Sequence, residues 1–252
     1  MTLRSIDELE RAAAQGWQAP VQEWLGGWLL RAADGFTGRA NSALAVGDPG
    51  APLGEAVHEV RAWYRARGLP AMIAVAYPTG KPEASGLDRF LAGHGWAVRS
   101  GAAVVMTAHA AALAPAGVDA ALRVEMSDQP GDEWLSRYHY RGAEQLPAVA
   151  RHLLCSAPWQ AFGAVQAGGR TVAIGRVAVS GEWAGLTAIE VDPAWRRRGL
   201  GAAITSALAA LAAERGARGV YLQVAVDNEP ARALYRRAGF TDHHGYHYRV
   251  EP

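Results

Sequence analysis

The residues best suited to chemistry lie in one arginine- and glycine-rich stretch, residues 191–203, which reads VDPAWRRRGLGAA. A β-prone run ends at Val191, an amphipathic helix is predicted to begin shortly afterwards, and Arg196, Gly199 and Gly201 lie in the turn between them. Glycines in such a turn let backbone N–H groups face outward, and the positive end of the helix dipole adds to their effect. The stretch therefore predicts an anion site that fits a diphosphate.

Two further features bear on this site. A dinucleotide-binding GxGxxG turn would need a third glycine near position 204, which is Ile204, and an acidic residue at the end of the next strand, so that interpretation fails. Downstream, residues 228–240 read NEPARALYRRAGF and place Tyr235 on a short helix. A phenol there is either a packed aromatic side chain or a hydrogen-bond donor to a reacting group.

The elements that position these residues alternate between strands and helices in the second half of the chain. Leu200, Ile204, Leu208 and Leu211 form the stripe of an amphipathic helix, which stops at Gly216. Apolar runs separated by glycine turns predict a three-stranded meander before it. The predicted strands cover residues 122–126, 161–165, 171–179, 182–191 and 220–226, the helices cover 132 to about Arg141, 146–154, 199–215 and 230–238, and a closing pair of strands covers 239–250.

This combination resembles the GCN5-related N-acetyltransferase (GNAT) superfamily over residues 122–250. The resemblance rests on the RRRGLG turn after a meander and on the NEPARALYRRAGF segment after the next strand. It implies an α/β (α+β) fold in which a mixed, mostly antiparallel sheet is flanked by helices. It also implies that acetyl-CoA is a cosubstrate and that its acetyl group is transferred to an amine.

The resemblance gives each motif residue an expected role. Backbone donors of the turn bind the coenzyme A diphosphate, and the strand edge around Ile189 and Val191 pairs with the pantetheine. Asn228 helps to seat the pantetheine arm, and Tyr235 lies near the thioester sulfur as a catalytic residue. The turn residues assigned to the cofactor are Arg196, Arg197, Arg198, Gly199, Leu200, Gly201 and Ala202.

The general base does not follow from the resemblance, because Gly185 stands where many family members carry a glutamate. An ammonium near pKa 10 must lose a proton before it attacks, so a base or a water chain is expected. Strict alternation places Glu190 on the face opposite Ile189 and Val191. Glu190 is therefore the catalytic candidate, against the alternative of a solvent-facing strand residue.

Other polar side chains have weaker assignments. Tyr138 and His139 lie where the family builds its acceptor-side wall, or they are packing or surface residues. His243, His244 and His247 belong to an HHGYH segment, but alternation and the intervening glycine oppose convergence on one ion. No metal site is expected.

The first half of the chain repeats the later part of this order, which indicates two tandem GNAT-like domains. Superposing Gly95-Trp96 on Gly239-Phe240 aligns RARGLPAMIAVAY with AERGARGVYLQVA. The predicted domains are residues 1–110 and 120–252, joined by a small-residue linker over 108–120; chance similarity of helix-strand units is the alternative. Such tandem chains occur in the superfamily, as in mycothiol synthase, whose architecture this chain resembles.

The N-terminal copy lacks the cofactor motif, because residues 46–54 read VGDPGAPLG and Leu91 aligns with Tyr235. It is therefore expected to be degenerate and not to bind the cofactor. A predicted strand pair, EWLGGWLLR with GRANSALA, either shapes the acceptor pocket or fills the core of this half. Its residues of interest are Trp24, Trp28, Arg39 and Asn41.

Composition argues against several other classes. The net charge is +1 and Lys81 is the single lysine, so nothing indicates a nucleic-acid or membrane partner. Cys155, the one cysteine, cannot form an internal disulfide, and no uninterrupted run of 18 apolar residues occurs. No leader is expected, because the first residues lack a basic-plus-apolar pattern. A cytoplasmic monomer or homodimer is expected.

The leading hypothesis is an N-acetyltransferase that moves an acetyl group from acetyl-CoA to a primary amine of a small molecule, by direct attack in a ternary complex. A protein or peptide N-acetyltransferase is the alternative, which an open groove would favour. A non-catalytic acyl-CoA-sensing or interaction module also stays open, because Gly185 replaces the usual glutamate.

Overall fold

The computed structural model describes residues 5–113, 122–139 and 145–252. Helices and strands alternate along most of this length. The helices are α1 (Ile6–Gln15), α2 (Leu53–Arg65), α3 (Gly86–Gly93), α4 (Asp132–Arg137), α5 (Ala148–Leu154), α6 (Leu200–Glu214) and α7 (Glu229–Arg237). The strands are β1 (Val21–Leu25), β2 (Trp28–Ala32), β3 (Ala43–Leu44), β4 (Met72–Pro78), β5 (Ala97–Val98), β6 (Ala103–His109), β7 (Val124–Ser127), β8 (Trp159–Ala167), β9 (Arg170–Ser180), β10 (Trp183–Val191), β11 (Gly219–Ala225) and β12 (Thr241–Val250).

These strands form one twelve-stranded sheet in the order β1-β2-β3-β4-β12-β6-β11-β10-β9-β8-β7, with β5 paired to β12. The neighbours β3–β4 and β10–β11 are parallel, and the other pairs are antiparallel. A crossover helix joins each parallel pair, α2 in the first half and α6 in the second. The predicted fold class, two repeated halves with a mostly antiparallel sheet flanked by helices, is confirmed.

The two halves exchange their last strands. β6 of the first half lies between β11 and β12, and β12 lies between β6 and β4. The closing pair of strands predicted over residues 239–250 is wrong, because β12 is one long strand with a register shift between Asp242 and His244. Its antiparallel partners come from the other half. Division into residues 1–110 and 120–252 therefore stays a proposal, with strands crossing between the two units.

Helices cover both faces of the sheet. On one face α6 packs Ile204 and Leu208 against β9, where Gly175 permits close approach because a Cβ there would overlap the Ile204 side chain. α2 covers the same face of the first half. The opposite face carries α1, α4 and α5. The described ranges contain no helix with both the length and the apolarity needed to cross a membrane.

Helix α1 was not predicted, although its sequence carries a start signal. Ser5 and Glu8 form a capping box, in which the Ser5 hydroxyl accepts from Glu8 N–H at 3.2 Å and the Glu8 carboxylate accepts from Ser5 N–H at 2.9 Å. Leu9 and Ala12 are buried against strands of both halves. This helix therefore lies across the exchanged strands.

Several predicted boundaries in the first half are wrong. EWLGGWLLR forms a hairpin by itself, β1 and β2, because two glycines make its turn. GRANSALA contributes the short strand β3, and Asn41 holds the preceding loop by accepting from Ala33 N–H at 2.8 Å. The start of the predicted linker belongs to β6, and residues 114–121 lie outside the described residues. In the second half, the helix predicted to run to about Arg141 ends at Arg137, because Tyr138 is extended (φ −82°, ψ +103°).

Candidate active site

Strands β10 and β11 separate part-way along their length. Their parallel pairing ends at Leu186 and Leu222, while β10 continues to Val191 along β9 and β11 continues to Ala225 along β6. A bulge with Ala188 at φ +53° interrupts β10 just beyond the last pair. Two strand edges thus face each other across a gap, and an extended chain can pair with either edge.

The turn after β10 exposes backbone donors at the end of this gap. Asp192 starts it by accepting from Ala194 N–H at 2.9 Å. Arg197 (φ +63°) and Gly199 (φ +80°) both adopt the left-handed conformation, and Gly199 caps α6 without a side-chain hydrogen bond. Alternating conformations of this kind turn successive N–H groups toward one point, and the helix dipole reinforces them. A negative charge at this turn would therefore be stabilised.

The three arginines of the turn are exposed. Arg196 Nε donates to Val191 O at 3.3 Å, and the Arg198 guanidinium lies 4.6 Å from the centre of the Trp195 ring. These contacts hold the side chains near the turn without an acidic partner among the described residues. They add positive charge around the N–H groups.

Helix α7 packs Tyr235 against the apolar cluster that α6 forms with the sheet. A Cβ at Gly201 would lie 3.0 Å from Leu234 Cδ1, so the missing side chain lets α6 and α7 approach closely. Tyr235 packs edge-on against Phe240 with centroids 5.8 Å apart, on the same apolar face as Ile189 and Val191. Burial raises the pKa of Tyr235 to about 12. The phenol therefore stays protonated across the physiological range.

Asn228 has a structural contact of its own, since its Oδ1 accepts from Ala231 N–H at 3.2 Å and caps α7. Its side chain is exposed where β11 ends. Arg232 and Arg236 of α7 both contact Asp242 of β12, at 3.1 and 3.2 Å. Sequence reasoning missed these ion pairs, which join α7 to the exchanged strand.

Comparison with known proteins shows the family of the chain. The family model described as "Probable histone acetyltransferase Rv0428c C-terminal" matches residues 4–249. The chain belongs to this acetyltransferase family. It is 30% identical over 257 residues to the probable histone acetyltransferase Rv0428c of Mycobacterium tuberculosis, covering 97% of this chain and 73% of that protein. It is therefore an acyl-CoA-dependent N-acetyltransferase of the GNAT type.

Two other relatives agree with this assignment, and two solved structures share the fold. The chain is 27% identical to the uncharacterized N-acetyltransferase YobR of Bacillus subtilis, over 98% of both chains. It is 46% identical over 76 residues to the mycothiol acetyltransferase of Clavibacter sepedonicus, covering 30% of this chain and 25% of that one. A GCN5-related N-acetyltransferase from Kribbella flavida superposes with TM-score 0.74 at 18% identity, over 98% and 95% of the chains. A tandem GNAT protein from the clavulanic acid biosynthesis pathway superposes with TM-score 0.69 at 17% identity, over 96% and 87%.

Many members of the superfamily carry a glutamate at the position of Gly185. In this acetyltransferase the side chain of Tyr221 occupies the space that such a glutamate would need. A Cβ at Gly185 would overlap the hydroxyl and ring of Tyr221, the parallel partner of Gly185 on β11. Burial raises the pKa of Tyr221 to about 12. Neither residue can serve as a base near neutral pH.

Glu190 is paired with His139 on the sheet face opposite α6. Its Oε2 accepts from His139 N–H at 2.9 Å, and its Oε1 lies 2.8 Å from His139 Nδ1. Arg137 and Asp192 form a second bridge at 3.0 Å between the end of α4 and the end of β10. The structure thus brings together two residues that the sequence singled out separately. Tyr138 between them is buried against Trp134.

A buried cation that the sequence analysis missed lies on the same face. Arg176 of β9 is fully buried and donates to Leu154 O at 2.6 Å and to Gly16 O at 3.0 Å. Burial lowers its pKa to about 10. The signal was a lone charge inside the apolar run TVAIGRVAVS. These bonds connect α5 and the end of α1 to the sheet.

The four N-terminal residues considered for the acceptor pocket lie in different environments. Arg39 reaches the second half and donates from Nη1 to Gln223 Oε1 at 2.6 Å. Trp24 is exposed, Trp28 is buried in the core of the first half, and Asn41 holds a loop. Of the four, Arg39 alone lines a cavity shared by both halves.

The histidines of HHGYH are used as structural partners. His244 Nε2 lies 2.8 Å from Glu10 Oε1 and its Nδ1 lies 2.8 Å from His243 Nδ1. His247 binds Asp88 of α3. The described residues contain no cluster of three or more His, Cys, Asp or Glu side chains arranged as metal ligands.

Proposed function

We propose that this acetyltransferase uses acetyl-CoA and transfers the acetyl group to a primary amine of a small molecule, which attacks directly in a ternary complex. The observation that carries the proposal is the gap between β10 and β11, which ends at the open N–H groups of the turn before α6. A pantetheine arm can pair with a strand edge, and a diphosphate can be bound by clustered N–H donors. The free edge of β10 leads directly to the N–H groups of the turn before α6.

Each part of the cofactor has a matching set of residues. The N–H groups of residues 197–202 would hold the diphosphate, with Arg196, Arg197 and Arg198 adding charge. The β10 edge at Ile189 and Val191 would pair with the pantetheine, and Asn228 borders the gap. Bound acetyl-CoA supplies an activated acyl group. The residues present therefore fit this cosubstrate.

Tyr235 acts in the proposal as a hydrogen-bond donor to the leaving sulfur. Its pKa of about 12 makes full proton transfer to a thiolate of ordinary pKa near 8.5 uphill by roughly 5 kcal/mol. A hydrogen bond that strengthens as charge develops on the sulfur requires no such transfer. Solvent or the acceptor then completes protonation.

Glu190 and His139 act together as the base. The carboxylate fixes the imidazole through two contacts, so the other ring nitrogen is presented to solvent or to the acceptor. Glu190 therefore orients and charge-stabilises His139, which receives the proton that the ammonium must lose. This assignment gives the chain a base despite Gly185.

The names of two relatives suggest two acceptor classes, a histone for the Mycobacterium tuberculosis protein and mycothiol for the Clavibacter sepedonicus protein. The small molecule is favoured here because the chain is 46% identical to the mycothiol acetyltransferase over 76 residues, whereas it is 30% identical to the probable histone acetyltransferase over 257 residues. We also propose residues 1–110 as a unit that contributes walls but no cofactor site.

The deciding experiment is calorimetry of acetyl-CoA binding to Gly199→Glu. The substitution puts a carboxylate among the N–H groups at a left-handed position, so binding is expected to fall at least tenfold. Gly216→Glu is the matched control, because Gly216 has φ +84° at the other end of α6 and open space around it. Equal affinity of Gly199→Glu and Gly216→Glu would show that the cofactor assignment is wrong.

A further inference from the structure

The end of α4 and the end of β10 are joined by two contacts that lie side by side. Arg137 Nη2 donates to Asp192 Oδ2 at 3.0 Å. His139, two residues after Arg137, contacts Glu190, two residues before Asp192. Tyr138 has an extended backbone, which points the side chains of Arg137 and His139 to the same side. Both side chains therefore reach the face of β10 that lies opposite α6.

Asp192 is a fixed anchor, because its backbone and both of its carboxylate oxygens have partners. Its N–H donates to Val172 O at 2.9 Å, which ties it to β9. Its carbonyl accepts from Trp195 N–H at 2.8 Å, and its Oδ1 accepts from Ala194 N–H at 2.9 Å. Its Oδ2 is the atom that binds Arg137. A contact with Asp192 is therefore a contact with the start of the turn before α6.

Arg137 depends on this carboxylate. Its side chain is 22% exposed and that of Asp192 is 13% exposed, so the charge-assisted bond between them is largely shielded from water. Arg137 Nε is buried and has no hydrogen-bond partner within the ranges that the structure describes. An unpaired buried N–H costs stability, so a gain in stability alone does not explain this arginine.

The ion pair acts on His139 through the backbone. His139 donates its own N–H to Glu190 Oε2 at 2.9 Å, and its Nδ1 lies 2.8 Å from Glu190 Oε1. The path of the backbone into His139 therefore decides where the imidazole lies. Arg137 begins the same extended segment, and its contact with Asp192 fixes that end of the segment.

We propose that Arg137 and Asp192 are positioning residues of the acetyl transfer, which hold the His139 imidazole in line with the turn before α6. The proposal rests on the proposed function, because it needs His139 as the base and that turn as the cofactor site. Proton transfer requires the imidazole within hydrogen-bond reach of the ammonium, and a displacement of about 1 Å lowers a rate by about 10². The ion pair thus sets the geometry of the reaction.

Two acceptors separate a positioning role from a structural one. At neutral pH n-butylamine is an ammonium ion that must lose a proton before it attacks, whereas hydroxylamine is already largely neutral. Arg137→Met is expected to lower kcat for n-butylamine about tenfold or more. It should leave kcat for hydroxylamine within about threefold and the KM for acetyl-CoA within about twofold, because Asp192 keeps its bonds to the turn. Equal losses with both acceptors overturn the proposal.

Further variants test the ion pair itself. Arg137→Lys keeps a cation for a single contact and is expected to return kcat for n-butylamine to within about threefold of the unmodified chain. Asp192→Asn keeps an acceptor for Ala194 N–H but loses the charge, so it should reproduce the loss of Arg137→Met, and the double variant should lose no more. Additive losses, or no recovery in Arg137→Lys, count against the pair.

The matched control is Arg151→Met. Arg151 approaches Asp132 at the other end of α4, with 3.9 Å between Nη2 and Oδ1. Loss of this contact is expected to leave kcat within about twofold for both acceptors, because it does not bear on His139. A loss in Arg151→Met equal to that in Arg137→Met would mean that any loosening of α4 has the same effect, and would overturn the proposal.

The ¹⁵N resonances of the His139 ring give a test that needs no turnover. The two ring nitrogens of a neutral imidazole resonate far apart when one tautomer is held and converge when the tautomers exchange. With His139→Gln for assignment, the resonances are expected to be separate in the unmodified chain, Arg137→Lys and Arg151→Met, and to converge in Arg137→Met. Separate resonances in Arg137→Met overturn the proposal.

These outcomes distinguish the positioning proposal from the proposed function. Normal acetyl-CoA binding and unchanged n-butylamine turnover in Arg137→Met leave the proposed function standing and overturn the positioning role. Failure of the unmodified chain to bind acetyl-CoA in calorimetry overturns both. If acetyl-CoA binds but neither amine is acetylated, the His139 ring spectra decide the positioning proposal by themselves.

Discussion

The side chain of Tyr221 occupies the space that a side chain at Gly185 would need. A Cβ on Gly185 would overlap both the hydroxyl and the ring carbons of its cross-strand partner. The glycine is therefore required by packing, and a glutamate cannot be accommodated without moving a fully packed aromatic ring. The base has to come from another element, and Glu190 with His139 offers one.

Gly185→Ala is expected to destabilise the protein by about 1–3 kcal/mol, because the added methyl overpacks the site. Urea unfolding measures the change. Gly93→Ala is the control, since a methyl added to Gly93 at the end of α3 would meet nothing within 4 Å. A Gly185→Ala protein as stable as Gly93→Ala would contradict the packing account, and Tyr221→Ala should relieve part of the loss in the double variant.

Tyr235→Phe is expected to lower kcat by about 10² and to leave the KM for acetyl-CoA nearly unchanged, because the hydrogen bond acts mainly in the transition state. Since burial raises the pKa of Tyr235 to about 12, its ionisation contributes no alkaline fall in rate below about pH 11. Steady-state kinetics between pH 6 and about 10 check both points. Tyr77→Phe is the control. An alkaline limb near pH 10 that disappears in Tyr235→Phe would contradict the assignment.

Apart from the closing pair of strands over residues 239–250 and the end of α4, the elements of the second half were predicted within a few residues because their periodicity is local. The stripe from Leu200 to Leu211 and the glycine turns between β8, β9 and β10 lie within short windows. Two turn motifs, at Gly199 and Asn228, were enough to indicate the acetyltransferase family. Local pattern and a combination of motifs therefore indicated the fold class and the family, whereas the cofactor-binding residues stay a prediction.

The strand exchange and the proposed acceptor side depend on contacts between distant residues. Pairing of β12 with β4, the bond from Arg39 to Gln223, and the pair of His139 with Glu190 each join segments far apart in the chain. A single sequence contains no periodic signal for such pairings. The capping box of α1 was local and could have been found.

The Glu190–His139 pair predicts coupled losses of activity. Glu190→Gln and His139→Gln are each expected to lower kcat/KM by about 10² or more, and the double variant should lose little beyond the larger single effect, because the two side chains act as one unit. Glu182→Gln is the control, since Glu182 is also paired, with Arg218 at 3.0 Å on the surface. Fully additive losses, or a Glu190→Gln enzyme with normal kcat/KM, would show that the base lies elsewhere.

Asp88 of α3 is predicted to stabilise the packing of β12 on the first half in a pH-dependent way. Its carboxylate accepts from Arg249 Nε and Nη2 at 2.8 Å and lies 2.6 Å from His247 Nε2, and these contacts, Arg249 first, hold its pKa below the usual value of 3.8. Because the pKa of Asp88 is lower in the folded state, the stabilisation is present above the unfolded-state pKa and is lost as pH falls through the folded-state pKa.

Asp88→Asn is expected to cost about 3 kcal/mol at pH 7, since it leaves Arg249 and His247 without their carboxylate. It should also flatten the fall in stability below about pH 4. Urea unfolding at pH 7 and in the acid range measures this against Asp34→Asn, an exposed loop position. Equal stability of the two variants at pH 7 would mean that β12 is held in the first half by its strand pairing alone.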